Sequence, residues 1–164
     1  MPCSSGGAVR DETLHDIGCG GDQIANLAVH AGLAAYTKAQ WTTNDCPNAD
    51  QVTGGTVRTV ALPGGIARTL VGAPPAAFLA PSGVRLALVP YNLVGAPDNT
   101  FPPPRPQIQV WGISSRKRQR TISEAGLVKA LAIGGDTIAA LVDDGSGALR
   151  IDLFSATTGS ATGS

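Results

Sequence analysis

Aromatic residues are scarce in this chain, at 4%, and so are charged ones, at 15%. Twelve basic and twelve acidic residues cancel to a net charge of +0. That balance supplies neither the basic footprint that draws nucleic acid or an anionic membrane surface nor its acidic counterpart, so no nucleic-acid partner is expected. No run of about 18 apolar residues occurs, which leaves no membrane-spanning helix to place. The opening residues, MPCSSGGAVRDETL, lack the apolar stretch of a secretory signal. Histidine is limited to His15 and His30, so acid–base chemistry built on imidazole has little material. A Gly-x-Ser-x-Gly nucleophile motif is missing as well.

Glycine and proline are what the chain has in plenty, with 21 Gly and 12 Pro in 164 residues. Together they make up about a fifth of the chain, against roughly 12% on average. Hydrophobic content is 43%, too high for a disordered chain. The apolar residues are mostly Ala, Val, Leu and Ile in short runs, the pattern of many short strands joined by turns. The length suits one domain.

Three segments repeat: LAVHAGLAAYT from Leu27, LAPSGVRLALV from Leu79 and LAIGGDTIAALV from Leu131. Their Leu-Ala pairs stand 52 residues apart each time. Each pair ends an apolar run (24–29, 76–80, 128–133) and is followed by a turn, HAG, PSG or GGD. A second run follows (33–39, 84–91, 137–142), then a variable loop: Gln40–Gly55, Asn92–Arg105 and Asp143–Gly147. A third run comes next (56–62, 107–113, 148–154), then a turn, PGG, SSRK or SATTG. Weaker fourth runs are read at 66–71 and 118–123, and none in the third copy.

A period near 50 with four strands per unit is the signature of propeller blades. From Ile24 to Gly159 the repeats resemble bacterial β-propellers of the WD-repeat, YVTN and TolB-like kind. The Gly-His pair of strict WD repeats is absent, and their Trp-Asp position reads Trp111-Gly112 in one copy. The resemblance implies an all-β fold of four-stranded antiparallel blades, about three of them. The expected divisions are an N-terminal segment 1–20 that could be the last strand of a preceding blade, repeats at 21–72 and 73–125, a partial repeat at 126–159 and a flexible tail at 160–164. Rings of this kind typically need four to eight blades. The chain is therefore expected to be a piece of a larger propeller, with closure by self-association or an unclosed stack as alternatives.

LHDIGCGGD, residues 14–22, is similar to the first motif of class I methyltransferases, which holds S-adenosylmethionine. That reading needs a hydrophobic strand before Asp16 and a helix after the glycines. RDETLH before Asp16 is too polar for a buried parallel strand, and no acid ends the next run about 20 residues on. The stretch reads better as a glycine turn leading into a blade, and no cofactor is expected.

Cys3, Cys19 and Cys46 are an odd set, so one internal bridge at most can form. Cys19 precedes the first inner strand and Cys46 lies in the first long loop, regions that a blade can bring to one end of its sheet. A Cys19–Cys46 disulfide would pin that loop and place the protein in an extracytoplasmic, oxidising compartment; free thiols are the alternative. His15, Cys19, His30 and Cys46 match no compact zinc spacing. Arg116-Lys117-Arg118-Gln119-Arg120 reads as a solvated outer strand whose charge blocks edge pairing. Asp143-Asp144-Gly145-Ser146-Gly147 reads as a tight turn, since it lacks the alternating ligands and closing Glu of a calcium loop. PPPRP at 102–106 reads as a stiff loop.

The function read from these features is a non-catalytic propeller module that presents loops to a protein, peptide or glycan. One alternative is part of a propeller hydrolase or lyase using Asp22, Asp136 and Asp144 at strand ends; the other is the methyltransferase. Far-UV circular dichroism with a parallel calorimetric titration separates them. The expected result is a β-dominated spectrum and no saturable heat with S-adenosylmethionine; substantial helix or saturable binding would restore the methyltransferase.

Overall fold

The short apolar runs become strands, and among the described residues none becomes a helix. The structure, a computed structural model, describes residues 20–42, 51–91 and 106–164, and the side chains of 24–40, 54–91 and 106–164. Among the described residues no helix is long and apolar enough to cross a membrane. Among the described residues twelve strands form three four-stranded antiparallel sheets. The first holds β1 (Gly20–His30), β2 (Leu33–Thr42), β3 (Gln51–Ala61) and β4 (Arg68–Thr69). The second holds β5 (Ala76–Pro81), β6 (Arg85–Pro90), β7 (Gln107–Gly112) and β8 (Arg118–Ser123). The third holds β9 (Leu127–Gly134), β10 (Thr137–Asp143), β11 (Leu149–Ser155) and β12 (Ala161–Gly163). Each sheet is a simple meander in which sequence neighbours pair. The first strands lie innermost, with β1 against β5 and β5 against β9.

Two details depart from the sequence reading. β2 runs on to Thr42 and β3 begins at Gln51, so part of the expected Gln40–Gly55 loop is paired. Trp41, Thr42, Val52 and Thr53 supply the aromatic and β-branched residues that favour this extension. Gly55, at φ 140, permits it: a Cβ there would sit 2.4 Å from the Lys38 carbonyl oxygen of β2. The third sheet also has a fourth strand, where the sequence suggested only a flexible tail at 160–164. β12 pairs Gly163 with Leu153 and Ala161 with Phe154. Three residues of Ala, Thr and Gly carry no hydrophobic period, so they give no strand signal of their own.

Backbone hydrogen bonds repeat with the sequence period. Just after the third strand of each sheet, Leu62, Ile113 and Ala156 donate to the carbonyls of Gly32, Val84 and Asp136, at 2.6, 3.0 and 2.7 Å. The acceptors are 52 residues apart, like the Leu-Ala pairs. The turn between third and fourth strands is also closed alike, by Gly65 to Ala61, Arg116 to Gly112 and Gly159 to Ser155. These are the turns read as PGG, SSRK and SATTG.

Two apolar layers lie between sheets. Ala35, Val57 and Leu70 of the first sheet region meet Ala76, Leu79, Leu86, Leu88 and Trp111 of the second. Ala87, Val89, Ile108 and Val110, on the second sheet's other face, meet Val128, Ile133, Ile138, Ala140 and Phe154 of the third. The alternation along β6 and β7 sends successive side chains to opposite neighbours. Small residues on the first strands let the backbones converge, while branched residues fill the wider space further out. Trp111 is buried with its indole N–H donating to the Gln109 side-chain oxygen at 3.1 Å, as a buried indole requires.

The β1–β2 hairpin turns on Ala31 and Gly32, both with positive φ (48 and 73), the geometry of a type I′ turn. Glycine adopts it freely, but alanine there is strained by about 1 kcal/mol. Ala31→Asn should therefore raise the unfolding free energy by about 0.5–1 kcal/mol, read as a higher midpoint in a denaturant melt. A lower midpoint would show that Ala31 is not held in this turn.

Candidate functional site

The convergence of the three first strands creates a groove. Its cavity has a volume of about 270 Å³ and is lined by β1, β5 and β9. Leu27, Phe78 and Leu131 supply apolar wall, and Asn26 and Lys129 supply polar ends. Leu27 is 63% exposed, unusual for a large aliphatic residue on an inner strand.

Asn26 shapes the groove. It sits at a β-bulge, where the β1–β2 register shifts between Ala25 and Leu27, with φ 55. Asparagine tolerates this left-handed conformation better than most residues. Its amide nitrogen donates to the Ala76 carbonyl at 2.9 Å and to the Tyr91 hydroxyl at 3.0 Å. Both amide hydrogens are thus spent in fastening β1 to the second sheet. Thr37 joins the same point, its hydroxyl donating to the Ala76 carbonyl and accepting from the Ala76 N–H. Burial pushes the Tyr91 hydroxyl pKa up, and the bond from Asn26 partly offsets this. Lys129 is held by Asp143 at 3.3 Å. The groove therefore offers apolar surface and one neutralised cation.

A second polar cluster joins the second and third sheets. Arg85 bonds the Asp136 carboxylate at 2.9 Å and donates to Thr157 Oγ1 at 2.9 Å. Ser155 donates to Asp136 at 2.7 Å, Thr157 also donates to it, and Arg120 donates to the Thr157 carbonyl at 2.8 Å. The hydroxyls of Thr157 and Ser155, then Arg85, hold the Asp136 carboxyl below the ordinary carboxylate range. At the other end of the same interface, Arg150 bridges Asp152 at 2.8 Å and Glu124 at 3.0 Å. Glu124 in turn caps the N–H groups of Ala125 and Gly126. Gly126 has no room for a side chain, since a Cβ would lie 2.4 Å from Val142.

The residues singled out from sequence are not gathered here. Cys3, His15, Cys19 and Cys46 lie outside the described residues, as do all of PPPRP but Pro106. Gly20 and Gly21, the last glycines of LHDIGCGGD, are paired strand residues opposite Thr42 and Trp41. The helix that the methyltransferase reading needs is replaced by β1, because IANLAV pairs along β2. Asp22 is in β1. Asp136 precedes β10 and Asp144 follows it, so seven extended residues, roughly 20 Å, separate them. Asp144 is engaged within its own turn by the N–H and hydroxyl of Ser146, and Asp143 accepts from Gly145 N–H. These bonds lower both carboxyl pKa values. Among the described residues no three His, Cys, Asp or Glu side chains cluster. Arg118 and Arg120 lie on β8, the outer strand of its sheet, exposed. His30 ends β1 and is exposed. The groove itself was missed in the sequence, because Asn26 and Lys129 carry no motif and meet only when three strands converge.

No family model matches the chain, and no curated protein does. Solved structures do resemble it. Over 80% of its length it is similar to a chain of a nidogen/laminin complex, which contains a β-propeller, with a TM-score of 0.51 and 9% identity. Over 86% of its length it is similar to cobalt-substituted Synechocystis ACO, with a TM-score of 0.52 and 12% identity. The chain spans 42% and 38% of those two chains. At such identities the likeness concerns fold alone: three propeller-like, four-stranded antiparallel blades.

Asp136 provides a pH test of the inter-sheet cluster. Its folded pKa lies below the unfolded one, so its stabilisation is present above about pH 4 and is lost as pH falls through the folded value. Asp136→Asn should lower the melting temperature at neutral pH and narrow the gap to wild type as pH drops toward 3. A gap independent of pH would show that the carboxylate charge does not fasten this interface.

Proposed function

We propose that this chain is a non-catalytic β-propeller module that binds a protein or peptide segment. The observation carrying this reading is the groove where β1, β5 and β9 converge. It presents exposed Leu27 beside Phe78 and Leu131, while its polar groups, Asn26 and Lys129, are already committed to structural partners. A site whose polar atoms are satisfied and whose walls are apolar recognises shape and hydrophobic side chains.

The meander topology adds to this. The β2–β3, β6–β7 and β10–β11 connections leave from one end of the three sheets. A glycan fits the groove less well than an apolar peptide side chain, since sugar hydroxyls ask for uncommitted donors and acceptors. The hydrolase or lyase reading gains nothing from Asp136 and Asp144, which stand at opposite ends of β10.

A phage-displayed peptide selection against the purified chain tests the proposal. Selected peptides should carry an aliphatic or aromatic anchor. Leu27→Glu, at an exposed position, should weaken their binding by about tenfold or more with the circular dichroism spectrum unchanged. Peptides that bind Leu27→Glu as well as wild type, or a selection yielding none, would refute groove binding.

A further inference from the structure

We propose that the outer edge of the second sheet, strand β8, takes up an acidic, extended peptide as a fifth strand. This is a second binding surface. The groove lies where the innermost strands converge, whereas β8 is the outermost strand of its sheet. Each sheet ends outward in one such edge: β4 has 2 residues, β12 has 3 and β8 has 6. A strand that adds to an edge is held by main-chain hydrogen bonds, so length decides which edge can hold one. The phase of the β7–β8 ladder shows what this edge offers. Glu124 N–H bonds the Pro106 carbonyl, so the alternate residues Ile122 and Arg120 also turn their backbone groups to β7. Thr121 and Ser123 then turn their N–H and C=O groups outward, and among the described residues nothing meets them.

Charge selects the occupant. β8 and the turn before it carry Arg116, Lys117, Arg118 and Arg120, all exposed. No Asp or Glu stands between Asp98 and Glu124 in the sequence, and Glu124 is buried and held by Arg150. Among the described residues no carboxylate pairs with any of the four cations. Arg120 donates to the carbonyls of Thr157 and Gln119, which leaves its charge unbalanced.

A bulge arranges the two arginines of the strand. The register shifts between Val110 and Trp111, which pair with Arg120 and Arg118. Cross-strand partners share a face of the sheet. Arg118 therefore lies on the side of Trp111, toward the first sheet, and Arg120 on the side of Val110, toward the third. The edge is flanked by a guanidinium on each side. Successive residues of an added strand alternate between the same two sides, so two neighbouring carboxylates on it meet one arginine each. The same charge repels a second β8 edge, which keeps copies of this chain from pairing there and leaves the edge to an acidic strand. Nucleic acid fits less well, since residues 112–124 contain no aromatic side chain on which a base could stack.

Fluorescence anisotropy tests this with a labelled peptide in which a run of glutamates precedes alternating valine and threonine. The peptide should bind the purified chain saturably, and more weakly as salt rises. Arg118→Glu should weaken binding by about tenfold or more with the circular dichroism spectrum unchanged, because the side chain is already exposed. Lys117→Glu is the second variant, with the same direction expected. Arg68→Glu, the same charge reversal at an exposed position on the short β4 edge, should leave binding unchanged. Two N-methylated peptides, each blocking alternate backbone N–H groups in one of the two phases, keep the full charge. The one that blocks the donors facing β8 should bind about tenfold or more weakly. Absence of saturable binding overturns the proposal, as does an Arg118→Glu chain that binds like wild type. Two methylated peptides that both bind like their parent reduce the edge to a patch of charge and overturn strand addition. A thymidine oligonucleotide that binds as tightly as the peptide assigns the patch to nucleic acid and overturns it too.

Discussion

A four-stranded meander whose residues are apolar on both sides cannot bury either face alone, and this constraint organises the molecule. Each sheet must be flanked by others of its kind. The second sheet satisfies the requirement fully: Leu86, Leu88 and Trp111 pack toward the first sheet, and Ala87, Val89, Ile108 and Val110 toward the third. Because each strand alternates, one sequence run serves two interfaces. Any one-residue slip of β6 against β7 would exchange the two sets and spoil both layers.

Such stacking must also be wedge-shaped. The first strands come close while the outer strands diverge, which calls for small residues inside and larger ones outside. Ala28, Ala76, Ala77 and Ala80 sit on or near β1 and β5, while Val57, Leu70, Ile122 and Phe154 lie further out. The groove is a by-product of that geometry. Where the first strands converge without quite meeting, Leu27, Phe78 and Leu131 are left with partly open surface, and the bulge at Asn26 keeps the gap from closing.

The strand periods, the 52-residue repeat and the turns were legible in the sequence because each unit must satisfy the same packing and the same backbone hydrogen bonds. Gly32, Val84 and Asp136 share no side-chain chemistry, yet their carbonyls do the same work. Other features were not legible, for identifiable reasons. β12 is three small residues held by β11 rather than by any preference of its own. The extension of β2 and β3 past the expected loop boundary depends on Gly55 passing over Lys38. The groove draws single residues from strands about 50 positions apart, and the Arg85–Asp136–Thr157 cluster does likewise. LHDIGCGGD illustrates the converse: a short glycine pattern is compatible with more than one backbone, and pairing of Gly20 and Gly21 with β2 decides for the strand.

The two inter-sheet contacts are fastened differently, and the difference follows from what each leaves exposed. Between the first and second sheets, neutral groups do the fastening: Asn26 and Thr37 bond the Ala76 backbone, and Asn26 also donates to the Tyr91 hydroxyl. Charges there would be desolvated at high cost. Between the second and third sheets, the apolar layer is continuous and the polar fastening is displaced to its two ends. Asp136 with Arg85 lies at one end and Glu124 with Arg150 at the other. Exposure keeps desolvation small at Asp136, whereas Glu124 and Asp152 are buried and rely on their hydrogen bonds, Glu124 to Arg150 and the N–H groups of Ala125 and Gly126 and Asp152 to Arg150. The neutral fastening borders the groove, so the walls that would meet a ligand are set by residues whose charge does not change near neutral pH. The ionic fastening stands away from it. Acid conditions that loosen the third sheet therefore act on the groove only through β9, the one wall the third sheet provides.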